Sequence, residues 1–233
     1  MKFLLLAVVL LACVFGSIEA KKCPSDWAFP VAPSDIKLAK DLPVAERKVH
    51  EKFMKQALDL VIAVNGKFGA VIVDANNTVV CGGVNMGAIS RIYHGEIVAI
   101  KNCSEITGKA TFQDHTIYTT GEPCPMCQSA IMWTKFKRVV FGSFISNMYC
   151  ERCFNQIPIA SNIINAAGYG INHYVDIIGG VLESETDKRF PVICGTNDPF
   201  VMVPMCQSNW NRSCPKRTRF FGELQPVSDS ESD

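Results

Sequence analysis

Two short segments carry side chains that could hold a metal ion and move a proton. They are His94-Gly95-Glu96 and Pro123-Cys124-Pro125-Met126-Cys127. One imidazole and two thiolates make a three-ligand set, which is typical of catalytic zinc sites that leave the fourth position to water. Zinc lowers the pKa of such a water to about 7, so a nucleophile is available at neutral pH. The pattern therefore predicts hydrolytic chemistry at a zinc ion held by His94, Cys124 and Cys127.

Hydrolysis at a metal also needs a carboxyl group that handles protons without binding the metal. Glu96 lies two residues after His94 and is predicted to act as this general acid and base. The alternatives are a core histidine at His94 and a disulfide or redox pair between Cys124 and Cys127. Both segments together favour zinc, and a helix N-terminus at the two cysteines would stabilise thiolates.

The elements that must position these segments follow from hydrophobic periodicity. Apolar residues recur at helical spacing from 44 to 65, and two short apolar runs at 70–73 and 78–81 predict a β-hairpin. The later elements are predicted strands at 115–120, 138–141 and 174–178, and predicted helices at 95–106, 125–134 and 161–167. Alternation of strands and helices indicates an α/β domain whose sheet is partly parallel.

The order H-x-E followed by P-C-x-x-C resembles the signature of the zinc nucleobase and nucleoside deaminases. The likeness covers about residues 45–190 and includes guanine deaminases, bacterial tRNA adenosine deaminases and secreted eukaryotic deaminase-domain proteins. The segments that carry it are Cys81–Asn85, His94–Ile100, Asn102–Cys103, Glu122–Cys124, Gly170–His173 and Gly180–Leu182. The resemblance implies a three-layer α/β/α sandwich with a central mixed sheet of about five strands. It also implies conversion of an exocyclic amine to a carbonyl, with release of ammonia.

The resemblance further implies four substrate contacts. Asn85 matches an asparagine that contacts the substrate, and Phe68 matches an apolar or aromatic residue that packs on the base. Backbone groups of Gly121 and Glu122 would lie near the leaving amine. The segment 143–146 has no acidic residue to match a second proton-handling carboxylate of guanine deaminases, which argues against guanine. Because relatives often pair, a homodimer is also expected.

The charge balance bears on the substrate class. The formal net charge is +1, whereas proteins that grip long nucleic acids usually carry a marked basic excess. This favours a small nucleobase or nucleoside. Two other functions stay open: an RNA, tRNA or DNA editing deaminase, which would need a basic groove, and a catalytically silent secreted binding protein on the same scaffold. The presence of Glu96 favours an enzyme.

The N-terminus predicts export. Lys2 precedes an apolar run at residues 3–15, and small residues follow up to Ala20, as in a signal peptide cleaved after that residue. The run is short for a transmembrane span, so no membrane attachment is expected after cleavage. The predicted organisation is a signal peptide at 1–20, a Pro-rich leader at 21–43, a deaminase domain at 44–190 and a Cys-containing extension with an acidic tail at 191–233.

The cysteines and sequons fit an exported chain. Apart from Cys13 in the predicted signal and the two predicted zinc ligands, eight of the 11 cysteines remain, and an even number suggests disulfides. We expect Cys81 to pair with Cys103, and Cys150 and Cys153 to be disulfide cysteines. Cys23 is expected to pair with one of Cys194, Cys206 and Cys214. The glycosylation sequons are at Asn76, Asn102 and Asn211.

Overall fold

The structure is a computed structural model that describes residues 35–194 and residue 196. The predicted signal peptide, most of the Pro-rich leader, and residues 197–233 of the predicted extension lie outside the described residues. Among the helices of the described part, none is long and apolar enough to cross a membrane.

The described residues form a mixed β-sheet flanked by helices. The strands are β1 (Lys37–Leu38), β2 (Gly69–Val73), β3 (Val79–Val84), β4 (Thr116–Gly121), β5 (Arg138–Ser143) and β6 (Asp176–Gly179). The α-helices are α1 (Val44–Ala63), α2 (Gly95–Thr107), α3 (Pro125–Trp133), α4 (Ser161–Ala166) and α5 (Glu183–Thr186). Short 3₁₀ or π turns lie at Ala39–Asp41, Asn147–Glu151, Ala167–Ile171 and Asp187–Arg189.

The strand order is β1-β6-β5-β4-β2-β3. The strands β1, β6, β5 and β4 run parallel to one another, whereas β2 pairs antiparallel with both β3 and β4. The predicted mixed sheet is confirmed, but it has six strands in the described residues instead of about five. The additional strand is β1, in a segment predicted to be irregular, because two residues are too few for an alternating pattern to emerge.

Two apolar layers enclose the sheet. On one face α1 packs through Phe53, Met54 and Ala57 against Val71 of β2 and Val140 of β5. On the other face the core lies under α2 and α3; it includes Ile72, Ala99, Ile117, Ile131, Val139 and Ile177. Successive residues of β2 and β5 thus point to opposite layers, as the pleat of a strand requires. This arrangement is the predicted α/β/α sandwich.

Disulfides join elements that are distant in the sequence. Cys81 of β3 is joined to Cys103 of α2, which confirms the predicted pair. Cys153 is joined to Cys194, so the structure corrects the expectation that Cys194 was available to Cys23. Cys150 is also disulfide-bonded, as predicted. The other cysteines proposed as partners of Cys23 lie outside the described residues.

A buried polar pair lies between α1 and the sheet. His50 is almost fully buried, and its Nδ1 lies 2.9 Å from the hydroxyl oxygen of Tyr118 on β4. Burial lowers the pKa of His50, and the positive charge of Arg138 lowers it further, while Glu46 acts in the opposite direction. The folded protein therefore holds this imidazole neutral at pH values where an exposed histidine is protonated.

The lowered pKa of His50 predicts acid sensitivity. In the unfolded chain a histidine titrates near pH 6.5, so below that pH the unfolded state binds more protons, and the free energy of unfolding falls as the pH falls. The variant His50→Gln keeps a group that can hydrogen-bond to Tyr118 but does not titrate. We expect urea unfolding between about pH 7.5 and about pH 5.5 to lose less stability in His50→Gln than in the wild type. Equal losses would contradict the assignment.

Candidate active site

Two helix N-termini position the predicted metal ligands. His94 is the residue before α2 and Cys124 is the residue before α3, and both have extended backbone angles (φ −66° and ψ 158° for His94, φ −64° and ψ 167° for Cys124). Pro125 is the first residue of α3, a position where its missing N–H costs nothing. Cys127 follows in the first turn, so both thiols lie at the positive end of the α3 dipole.

The three predicted ligands converge. The Nδ1 atom of His94 lies 3.5 Å from the Sγ atom of Cys124 and 3.5 Å from that of Cys127. The ligand atoms all lie within 4.8 Å of one another, and neither cysteine is in a disulfide. A tetrahedral zinc with ordinary Zn–S and Zn–N bonds would place sulfur and nitrogen about 3.5 Å apart. The donor types and their spacing therefore fit a zinc ion with three protein ligands.

The electrostatics of the cluster favour bound metal. Hydrogen bonds from Cys127 and His94 lower the pKa of the Cys124 thiol to about 4. The pKa of Cys127 is raised by its hydrogen bond with Cys124, by burial and by Glu96. That of His94 is raised, chiefly by the hydrogen bond with Cys124. Without a metal, the protons held by His94 and Cys127 thus surround the Cys124 thiolate, and a divalent cation can replace those protons.

Glu96 is the second residue of α2 and is 3% exposed. Thr119 of β4 donates a hydrogen bond from its hydroxyl to Glu96 Oε1 at 3.2 Å, which fixes the direction of the carboxyl group. Burial raises the pKa of Glu96, and the negative charge of Cys124 raises it further. A buried carboxyl group beside the ligands, oriented by a neighbouring strand, is suited to carrying a proton.

Close backbone contact places Phe68 beside the metal ligands. A Cβ atom on Gly95 would come within 2.8 Å of Gly69 Cα, so only glycine allows the start of α2 to approach the start of β2 this closely. The backbone N–H of Asn85 donates to the carbonyl oxygen of Phe68 at 2.9 Å. The predicted substrate residues Phe68 and Asn85 therefore lie next to each other, with Phe68 half-buried and Asn85 exposed.

The Phe68 ring is held by residues far away in the sequence. Its centroid lies 4.9 Å from that of Phe190, and Phe190 in turn contacts Phe154 edge-on at 5.8 Å. Phe68 and the buried Met148 also lie against the backbone of Gly121. We call Phe68, Met148, Phe154 and Phe190 the aromatic wall, since three of its four members are aromatic. It brings predicted residues Phe68 and Gly121 to one place.

A polar network holds the segment that bears Phe190. Arg152 donates from Nη1 to the carbonyl oxygen of Phe190 at 2.6 Å and from Nη2 to Asp187 Oδ2 at 3.2 Å. Asn147 and Ser143 also donate hydrogen bonds to the Asp187 carboxylate. The Cys153–Cys194 disulfide lies just beyond this network. The end of the described chain is thus tied to the loop that follows β5.

The Glu122 carboxylate organises the loop that carries Cys124. It is 4% exposed and accepts three hydrogen bonds: at Oε2 from the Ile145 backbone N–H (2.9 Å), and at Oε1 from the backbone N–H and hydroxyl of Ser161 (2.8 Å each). This side chain therefore links the loops after β4 and β5 to the start of α4. The substrate contact predicted for Glu122 concerns its backbone and stays a prediction.

The sequence patterns do not identify several residues that shape this site. Thr119 orients Glu96. Phe190 is part of the aromatic wall, and Arg152 and Asp187 hold the segment that bears it. Thr119 could have been found from its position, because it lies two residues before Gly121 and residues two apart in a strand point to the same face of the sheet. Phe190 lies 122 positions from Phe68, and no local pattern links the two.

The chain is similar to known deaminases. Residues 47–143 match the family model described as the cytidine and deoxycytidylate deaminase zinc-binding region. A tRNA-specific adenosine deaminase of Rickettsia bellii is 36% identical over 108 residues, which are 41% of this chain and 74% of that protein. The chain belongs to this zinc-binding deaminase family.

Other members of the deaminase family show how far the likeness extends. A cytosine deaminase of Candida albicans is 42% identical over 86 residues, which cover 36% of this chain and 57% of that protein. The solved structure of a guanine deaminase from Nitrosomonas europaea covers 64% of this chain and 91% of its own, with a TM-score of 0.50 and 20% identity. The structural likeness supports the deaminase fold.

The Glu122 network predicts a graded loss of stability and metal binding. Glu122→Gln replaces a carboxylate oxygen by an amide NH₂ group that faces a backbone N–H donor. We expect this variant to lose about 3 kcal/mol of unfolding free energy and to bind zinc about tenfold more weakly. Ser161→Ala removes only one neutral donor and should cost about 1 kcal/mol. Chemical denaturation and competition with a zinc chelator measure the two effects. If Glu122→Gln were no worse than Ser161→Ala, the carboxylate would not organise the loop.

Proposed function

We propose that this protein is a secreted zinc-dependent hydrolase that converts the exocyclic amine of a nucleobase or nucleoside into a carbonyl and releases ammonia. The observation that carries the proposal is the burial of Glu96 directly beside His94, Cys124 and Cys127, in a chain of the deaminase family. A silent binding protein has no need of a buried carboxyl group at this position, whose burial costs free energy.

The chain's own residues account for the proton transfers. His94, Cys124 and Cys127 would hold a zinc ion, which would supply a water activated as a nucleophile at neutral pH. Glu96 accepts the proton that this water loses on attack and donates it to the adjacent ring nitrogen. Glu96 then takes the remaining proton from the oxygen that has added to the ring carbon and donates it to the departing amine. Ammonia leaves, and the ring carbon becomes a carbonyl. Thr119 keeps Glu96 Oε1 in one orientation during these transfers.

The aromatic wall would bind the face of the base. Phe68 is the half-buried member that can contact a ligand, while Phe190 and Met148 support it from behind. The exposed Asn85 side chain, at the end of β3, would donate and accept hydrogen bonds at the polar edge of the base. Backbone groups at Gly121 and Glu122 would face the leaving amine.

A small substrate is favoured over a nucleic acid. The net charge of +1 provides no general basic excess for a phosphate backbone. Relatives are named for both kinds of substrate: cytosine and guanine in some, and tRNA adenosine in others. Adenosine editing of a tRNA is therefore the second candidate, and a substrate panel that includes tRNA distinguishes the two.

Export is supported by the first 20 residues and by covalent structure. The positive n-region, the apolar run and the small residues before position 21 form a signal-peptide pattern. The disulfides Cys81–Cys103 and Cys153–Cys194 suit an oxidising compartment. The substrate would then be a base or nucleoside outside the cell or in the lumen of the secretory pathway.

Replacement of Glu96 tests the mechanism. We expect Glu96→Gln to retain zinc but to lose ammonia release by about 100-fold or more, because the proton carrier is gone and the ligands are intact. Glu105→Gln, a change of an exposed glutamate on the same helix, is the matched control and should keep wild-type turnover. Full turnover by Glu96→Gln with zinc bound would exclude the proposed role.

The substrate class is tested on purified wild-type protein with its zinc content measured. Ammonia release is followed for free bases, nucleosides, nucleotides and tRNA. We expect release from a base or nucleoside, its loss after chelation and its return when zinc is added back, because His94, Cys124 and Cys127 bind the metal reversibly. Turnover of tRNA alone would support the second candidate, and a zinc-loaded protein inert on the whole panel would contradict the enzymatic proposal.

A further inference from the structure

Two of the three sequons lie in the described residues and differ in structure. In an Asn-x-Ser/Thr sequon the sugar is attached to the asparagine side-chain amide, so the modified Nδ2 atom must be accessible and must leave room for a bulky group. Asn76 and Asn102 can be compared by this criterion. Asn211 lies outside the described residues.

The Asn76 sequon is presented on the turn between β2 and β3. Asp74 Oδ1 accepts hydrogen bonds from the backbone N–H groups of Asn76 and Thr78, both at 2.9 Å, and so fixes the turn. The side chains of Asn76, Asn77 and Thr78 are exposed. Within the described residues the Asn76 amide group makes no hydrogen bond, so attachment of a sugar removes no interaction of the fold.

The Asn102 sequon lies in the packed interface between α2 and β3. Its Nδ2 atom donates a hydrogen bond to the carbonyl oxygen of Gly82 at 2.9 Å. The middle residue of the sequon, Cys103, is fully buried and is joined to Cys81 of β3. The two elements touch so closely that a Cβ atom on Gly83 would come within 2.4 Å of the Ala99 backbone nitrogen. An oligosaccharide on Asn102 would have to separate this contact.

We propose that, in the secretory pathway, Asn76 carries an N-linked glycan and Asn102 stays unmodified. The proposal goes beyond the deaminase activity and rests only on the proposed export of the chain. A chain modified at Asn102 before folding would lose the packing of α2 on β3, so the folded and secreted protein would not contain it.

The glycan on Asn76 would leave the active site open. The β2 strand begins at Gly69, beside the start of α2, and ends next to the turn that carries Asn76. The end residues of this five-residue extended strand lie about 13 Å apart. The sugar is thus attached at the end of the hairpin opposite the metal ligands.

Site-specific peptide mapping of the full-length protein, secreted from eukaryotic cells, tests the proposal. A peptide N-glycosidase, an amidase that converts glycosylated asparagine to aspartate, labels each occupied site when the digestion is done in heavy-oxygen water. We expect the label at Asn76 and not at Asn102, in molecules whose map also contains the Cys81–Cys103 disulfide. On gels, Asn76→Gln and Thr78→Ala should each lose the mobility shift of one glycan, whereas Asn102→Gln should lose none.

A second version, with residues 1–20 replaced by an established secretory signal, separates the glycan from the export proposal. If only this version enters the lumen and carries a glycan at Asn76 but not at Asn102, the proposed localisation is wrong and the site assignment is supported. Unmodified Asn76 in lumenal protein, or a glycan at Asn102 in folded protein, overturns the assignment. Neither outcome depends on ammonia release, so the proposed deaminase activity is judged separately.

Discussion

The site depends on two helix N-termini that meet at the ends of β3 and β4. The imidazole nitrogen lies 3.5 Å from each of two thiol sulfurs because His94 and Cys124 both occupy the residue before a helix and both helices rest on the same sheet. The start of α2 approaches β2 so closely that only a glycine fits at position 95. The predicted metal ligands thus owe their positions to backbone packing.

A second constraint is the cost of burying charge. Glu96 and Glu122 are both almost fully buried, but their surroundings compensate the buried charge differently. Glu122 accepts hydrogen bonds from Ile145 and Ser161, which compensate a fixed negative charge. A hydroxyl group donates a hydrogen bond to Glu96, and burial and the negative charge of Cys124 raise the pKa of this carboxyl group. One carboxyl group therefore serves as a permanent support, and the other can exchange a proton.

Most of the layered fold, and the convergence of His94, Cys124 and Cys127, could be predicted from local sequence. The helix at Val44–Ala63, the strands from β2 to β6 and the starts of α2 and α3 follow from periodicity, prolines and the two short segments, because each signal is contained in a few neighbouring residues. The β1 strand is too short to have a periodic signal. The contacts of Phe190 with Phe68 and of Arg152 with Asp187 depend on how the chain returns to the site after β6, which no local pattern encodes.

The aromatic wall has an evolutionary consequence. The metal ligands and Glu96 come from two compact segments within residues 94–127, whereas Phe154 and Phe190 come from loops after β5 and β6. Sequence changes in these later loops can alter the packing behind Phe68 while the predicted metal ligands and Glu96 keep their positions. In an architecture of this kind, the surface around Phe68 and the arrangement of the predicted metal ligands can change independently of each other in evolution.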